Sequence, residues 1–109
     1  MSTRKPEIDL RIWQVIALIP TGKVASYGDI ASHAGLPGAA RRVGYALRHL
    51  PKDTKIPWHR VVNAQGRISI RAETAGQYTQ RERLEAEGIL FRGDKISQFF
   101  DVRWRPENQ

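Results

Sequence analysis

The chain contains no cysteine. That absence excludes disulfides, a thiolate nucleophile and any cysteine-ligated metal. Histidine is scarce too, and His33, His49 and His59 are too scattered to form a ligand set. No metal or other cofactor is expected. No apolar run approaches the roughly 20 residues of a membrane helix. Residues 1–11, MSTRKPEIDLR, lack the apolar segment of a secretion signal. A soluble intracellular protein with no membrane partner is therefore expected. Acidic residues are outnumbered, 11 against 18 Lys and Arg, leaving a net charge of +7. Most of those cations are Arg, whose planar guanidinium suits phosphates and bases. Such a balance favours an anionic partner, nucleic acid above all.

What is present reads as one small domain of 109 residues, with a core spanning about 8–92 and flexible N- and C-terminal tails. Residues 8–19, IDLRIWQVIALI, place Ile8, Ile12, Val15, Ile16 and Ile19 on one helical face. Pro20 and Gly22 end that helix. VASYGDIASHAG reads as a second helix, with Ser26 and Asp29 spaced as a capping box and Gly35 as its stop. After the turn LPG, residues 39–50, AARRVGYALRHL, read as a third helix. Two helices joined through Gly and Pro form a helix-turn-helix. The runs RVVN and RISI, parted by AQG, predict a short β hairpin, and residues 77–87 a fourth helix. The predicted class is α+β, mainly α: a helix-turn-helix, winged-helix-like domain with a short β hairpin.

The third helix does not open with the long polar side chains that usually read base edges in a major groove. It begins instead with Ala39 and Ala40, and Gly44 stands one turn beyond Ala40 on the same face. A face of small residues allows close approach, either to the minor groove of DNA, about 6 Å wide, or to another helix. Arg41 and Arg42 rise from the same turn and could reach phosphate or the base stack.

The stretch IPTGKVASYGDIASHAGLPGAARRVGYAL, followed by IPWHRVVNAQG, resembles the DNA-binding domain of O6-alkylguanine-DNA alkyltransferases over roughly residues 9–90. That family carries Pro-Cys-His-Arg, and its Cys takes the alkyl group from a flipped guanine. Here Trp58 occupies the Cys position, the pattern of the alkyltransferase-like branch. The chemistry agrees, because alkyl transfer needs a thiolate activated by a neighbouring base, whereas indole N–H is a donor without a basic lone pair.

The resemblance implies a role for each matching residue. Tyr27 assists rotation of the nucleotide at its phosphate, with Ser26 beside it on the DNA. Arg41 is the arginine finger that fills the gap left by the flipped base. Ala39, Ala40 and Gly44 are the minor-groove face. Arg42 stands where the family has a small residue and would add a phosphate contact, as would Arg48. Tyr27, Pro57, Trp58, His59 and Val61 line the base pocket, and Arg71 reaches the flipped guanine from the loop after RIS. His59 and Glu87 match the pair that activates the thiol, and without a thiol they are expected as a structural polar pair. Leu50 replaces an Asn that braces the following turn in the family.

The function implied is non-enzymatic: binding of O6-alkylguanine in double-stranded DNA, flipping of the lesion, and signalling by a monomer to nucleotide excision repair proteins of the UvrA type. If bacterial, the protein is expected in the cytoplasm, at the nucleoid. A winged-helix transcription regulator is the alternative, and it would require polar base-reading residues on helix 39–50. A hydrolase acting through Glu87 or His59 is a third reading.

Overall fold

Residues 6–68 and 75–106 are described in the structure, a computed structural model of the chain. Among them five helices carry the fold: α1 (Pro6–Ile16), α2 (Tyr27–His33), α3 (Ala40–Arg48), α4 (Ala75–Ala86) and the short α5 (Phe99–Val102). Four two-residue strands accompany them: β1 (Ala25–Ser26), β2 (Val61–Val62), β3 (Phe91–Arg92) and β4 (Lys95–Ile96). A single 3₁₀ turn, Trp58–Arg60, precedes β2. The mainly helical α+β class is as expected from the sequence, with helix ends moved by a few residues.

Helix α1 starts on Pro6, whose missing N–H costs nothing there, and has Glu7 and Asp9 at its positive end. Ile12 and Ile16, one turn apart, are fully buried. At the start of α2 the expected capping box forms. Ser26 Oγ accepts from Asp29 N at 3.0 Å, and the Asp29 carboxylate accepts from Ser26 N at 3.1 Å. Residues 24–26, expected within that helix, are extended instead: Ala25 and Ser26 form β1, and Val24 bridges to Arg103.

Neighbouring residues of β2 face opposite ways, as in any strand, and so serve two cores. Val61 joins Ile12, Ile16, Ile30, Val43 and Trp104 between α1, α2 and α3. Val62 joins Val24, Leu84, Ile89, Ile96 and Phe99 beneath α4.

Two expectations are corrected. Val61–Val62 is not the first arm of a hairpin. It lies parallel to β1, with Ala25 opposite Val61 and Ser26 opposite Val62. A Val-Val run buried on both faces has no alternation to show which strand it pairs with. The AQG turn does form, closed by Asn63 N donating to Arg67 O at 3.0 Å, but the antiparallel hairpin is β3–β4. Part of the RISI run falls in residues 69–74, outside the described residues.

The second correction concerns the C-terminal tail, which is part of the core as far as Trp104. Ile96, Phe99 and Trp104 are buried. Val24 is clamped between Val102 O, which accepts from its N–H at 2.9 Å, and Trp104 N, which donates to its carbonyl at 2.7 Å. The segment FFDVRW mixes a four-residue helix with one bridge, too short for either period to appear.

The turn after α3 is braced without the family's Asn. Thr54 N donates to Pro51 O at 3.2 Å, and Thr54 Oγ1 accepts from Ile56 N at 3.1 Å. Ile56 then packs against the first core, which carries the chain into the Pro57-Trp58 segment.

Candidate nucleic-acid interface

Small side chains along a helix serve either helix packing or an external ligand, and the surroundings of Gly44 decide between them. A Cβ built there would meet only Arg48 Nη1, at 3.7 Å, with no atom of another helix within 4 Å. The gap is therefore open to the outside. A shallow concavity there is lined by Tyr27, Ala40, Arg41, Gly44 and Arg48. Ala39 turns the other way and packs against the first core.

Arg41 stands exposed in the first turn of α3, which holds no acidic residue. A cation at the positive end of a helix is electrostatically unfavourable for folding alone. Its side chain has no hydrogen-bond or ion-pair partner among the described residues. The same holds for Arg48, two turns further along. Both guanidinium groups are thus available to an anion, and the helix N-terminus adds to the attraction.

Arg42 is different, and its expected phosphate contact is corrected. Its Nη1 lies 2.6 Å from Oδ1 of Asp9, a carboxylate with 1 % of its surface exposed. Its guanidinium also sits 4.6 Å from the centre of the Tyr45 ring. Arg42 compensates a buried charge and ties α1 to α3. Ser26, expected at the DNA, is buried, and its hydroxyl accepts from Asp29 N as the cap of α2.

Beside the concavity lies a deeper pocket of about 330 Å³, within the roughly 300–1,000 Å³ usual for small-molecule sites. Tyr27 closes it from α2, and Gly44, Leu47 and Arg48 from α3. Trp58, Val61 and Gln80 complete the wall. Of the expected pocket residues, Tyr27, Trp58 and Val61 are therefore brought together. Pro57 and His59 are not in this wall, because His59 is turned toward Glu87 and buried. Arg71 lies outside the described residues.

The sequence reading missed two residues of α4. Gln80 is 1 % exposed. Its amide N–H groups donate to His59 O at 3.1 Å and Val61 O at 2.9 Å, pinning the 3₁₀ turn and the start of β2 to α4. The available signal was a polar side chain one turn before Leu84, on the buried stripe. Arg83, one turn on from Gln80, places its guanidinium over the Trp58 ring, 5.3 Å from its centre. The His59 ring meets the same indole edge-on at 6.2 Å.

His59 and Glu87 form the expected polar pair, His59 Nε2 to Glu87 Oε2 at 2.8 Å. The larger share of Glu87 belongs to Arg60, which donates to both carboxylate oxygens, and Gly22 N adds a bond at 3.1 Å. Burial pulls the Glu87 carboxyl upward, but the hydrogen bonds from Arg60, His59 and Gly22 outweigh it and lower its pKa to about 2. Burial also lowers the pKa of His59, helped by the charges of Arg60 and Arg83 and opposed by Glu87. At neutral pH the pair is a neutral imidazole donating Nε2–H to a carboxylate.

A model of the 6-O-methylguanine DNA methyltransferase, DNA binding domain family matches residues 7–89. Alkyltransferase-like protein 1 of Schizosaccharomyces pombe is 38 % identical over 107 residues, covering 94 % of this chain and 99 % of its own. The DNA base-flipping protein of Escherichia coli is 45 % identical over 94 residues, 86 % of this chain and 71 % of its own. The crystal structure of S. pombe Atl1 in complex with damaged DNA containing O6-carboxymethylguanine superposes with a TM-score of 0.83 at 38 % identity, covering 95 % of this chain and all of that one. The methylated-DNA–protein-cysteine methyltransferase of Mycobacterium tuberculosis is 41 % identical, and the chain spans 58 % of its length.

Proposed function

Since the chain belongs to the family of the 6-O-methylguanine DNA methyltransferase DNA-binding domain, we propose that it recognises O6-alkylguanine in double-stranded DNA, turns the lesion into the pocket and holds it without removing the alkyl group. Trp58 carries this reading. It stands at the acceptor position of the family motif and walls a pocket that opens beside the small-residue face of α3. With no cysteine in the chain there is no thiolate to accept an alkyl group. An indole offers a broad apolar face for a purine and its substituent instead.

The parts have separable tasks. The open face at Ala40 and Gly44 lets α3 approach the minor groove closely. Arg41, long, planar and without a partner among the described residues, fills the space vacated by the flipped nucleotide. Tyr27 belongs to both the groove-facing concavity and the pocket wall, where it can crowd the phosphate as the nucleotide turns. Insertion of this kind bends the duplex. A long-lived complex of bent DNA is a signal that nucleotide excision repair proteins can read, and we assign that step to them. The names of the S. pombe and E. coli relatives, and the damaged DNA held by S. pombe Atl1, support this reading. A transcription regulator is disfavoured, because the outward face of α3 presents the small residues Ala40 and Gly44 at its centre, where a major-groove helix carries long base-reading side chains.

The test is equilibrium binding to matched duplexes carrying guanine or O6-methylguanine at one position, followed by analysis of the recovered DNA. Tighter binding of the lesion with unchanged methyl content is expected. Equal affinity for the two duplexes would sink the proposal, and loss of methyl groups would show that the protein is an enzyme after all.

A further inference from the structure

The pocket wall contains Arg48 and no carboxylate. Arg48 lies at the junction of the pocket and the groove-facing concavity and lines both. Arg83, outside the wall itself, lies over the indole of Trp58, which is part of it. Neither guanidinium has an ion-pair partner among the described residues. Glu87, the carboxylate hydrogen-bonded to His59 beside Trp58, is committed to Arg60 and His59. Among the described residues, the cations beside Trp58 are therefore left without a carboxylate of their own. Positive charge is felt at His59, whose protonation is opposed by the charges of both Arg60 and Arg83.

We infer that Arg48 and Arg83 are specificity-determining residues, which make this pocket select O6 substituents carrying a negative charge, carboxyalkyl groups above all, over neutral groups of the same shape. The inference deepens the proposed function and rests on it. A carboxylate entering the pocket loses water, and a guanidinium is the side chain best shaped to replace that water with charge-assisted hydrogen bonds. Arg48 can offer such bonds directly from the wall. Arg83 acts through space and through Trp58: it keeps the indole in place from one side and adds positive potential to the ring that the substituent meets. A pocket built only for alkyl groups needs neither charge.

The experiment compares four duplexes of one sequence, bearing guanine, O6-methylguanine, O6-carboxymethylguanine or O6-carbamoylmethylguanine. The last replaces one carboxylate oxygen with an amide nitrogen and so removes the charge at nearly constant shape. The full chain is expected to bind the carboxymethyl duplex about fivefold more tightly than the carbamoylmethyl duplex at low salt, with the ratio shrinking as salt screens the pair. Arg48→Gln and Arg83→Gln should each bring this ratio toward one. If Arg48 contacted only phosphate, its replacement would weaken both duplexes equally and leave the ratio unchanged. A wild-type ratio of one or less, or a ratio that survives both substitutions, overturns the inference. In either case a retained preference for O6-methylguanine over guanine leaves the proposed function standing. Loss of that preference removes both.

Discussion

Arg60 and Glu87 face each other as a two-pronged pair, Nη2 to Oε2 at 2.8 Å and Nε to Oε1 at 3.0 Å. Arg60 also donates to Ile19 O at 2.8 Å and Thr21 Oγ1 at 3.0 Å, while Glu87 accepts from Gly22 N. One guanidinium and one carboxylate thus join the loop after α1, the 3₁₀ turn bearing Trp58 and the end of α4. Where a thiol is present, this His-Glu arrangement activates it. Here it is a brace, and stability is what its loss should reveal. Glu87→Gln keeps the shape but removes the charge that Arg60 requires. It should cost about 2 kcal/mol, seen as a lower urea midpoint at unchanged slope. No loss of stability would mean the network is incidental.

The same network sets a direction for pH. Glu87 titrates at about 2 in the folded protein, below the ordinary carboxylate range, so its stabilising contribution is complete above about 4.5 and is lost as pH falls toward 2. Asp29, capping α2 and paired with Arg103, is also held below its ordinary value of 3.8: burial raises it, and its bonds to Arg103 and Ser26 outweigh that. His59 is shifted below its ordinary 6.5, mainly by burial, so the unfolded chain binds its proton first as pH falls. All three effects have the same sign. Thermal midpoints should hold near neutral pH, begin to decline just below 6.5, and fall more steeply below about 4.5. In Glu87→Gln the acid limb should be shallower. A wild-type midpoint that rises on acidification would contradict the assignment.

Adjacent arginines on α3 should separate cleanly. Arg42 neutralises the buried carboxylate of Asp9, and Arg42→Ala strands that charge at a cost of about 2–3 kcal/mol. Arg41 is exposed and has no partner among the described residues. Arg41→Ala should leave the melting temperature within about 3 °C, since exposed substitutions usually stay within about 0.5 kcal/mol, and should weaken lesion binding at least tenfold. Melting curves and duplex titrations of both variants decide it. Reversed phenotypes would exchange the roles.

How much of this was legible in the sequence depended on whether the deciding interaction was local. The capping box of Ser26 and Asp29 lies within four residues, and the spacing of Ile12 and Ile16 within one turn, so both could be read. The pairing of Val61 with Ala25 spans most of a helix-turn-helix, and nothing in either dipeptide specifies the other. Arg42 read as a free cation because its partner, Asp9, lies on another helix. Ser26 was placed at the DNA, and its burial at the start of α2 depends on packing that the capping motif alone does not show. Gln80 and Arg83 went unnoticed because a polar residue in a helix usually faces water, and only the docking of α4 on the Trp58 turn gives these two their partners. The C-terminal residues Phe99 and Trp104 were set aside as tail because two short elements leave no period to detect.

Gly66 offers a stability test remote from the interface. Its φ of +79° is left-handed, and an added Cβ would fall 2.8 Å from Cγ of Phe99. Gly66→Ala must therefore strain the backbone and push a buried ring out of the second core. About 2–4 kcal/mol is expected from the two effects together. Lesion binding by the fraction that remains folded should be unchanged, because Phe99 serves the second core and not the pocket wall. A neutral substitution would mean that Phe99 can move aside freely.

Trp58 is the residue on which recognition should depend most. It is only partly buried, so truncation leaves no large internal cavity, and the surrounding backbone is held independently by Gln80. Trp58→Ala should accordingly fold with near-normal stability. Its effect belongs to the ligand: stacking of a base on an aromatic face is worth about 1–3 kcal/mol, so affinity for O6-methylguanine duplex should drop between about fivefold and a hundredfold. Binding to undamaged duplex, governed by Arg41, Arg48 and the open face of α3, should change little. The measured quantity is the ratio of the two affinities. If both fall in parallel, Trp58 is a packing residue of the interface; if only the lesion complex weakens, the indole is what the flipped base rests on.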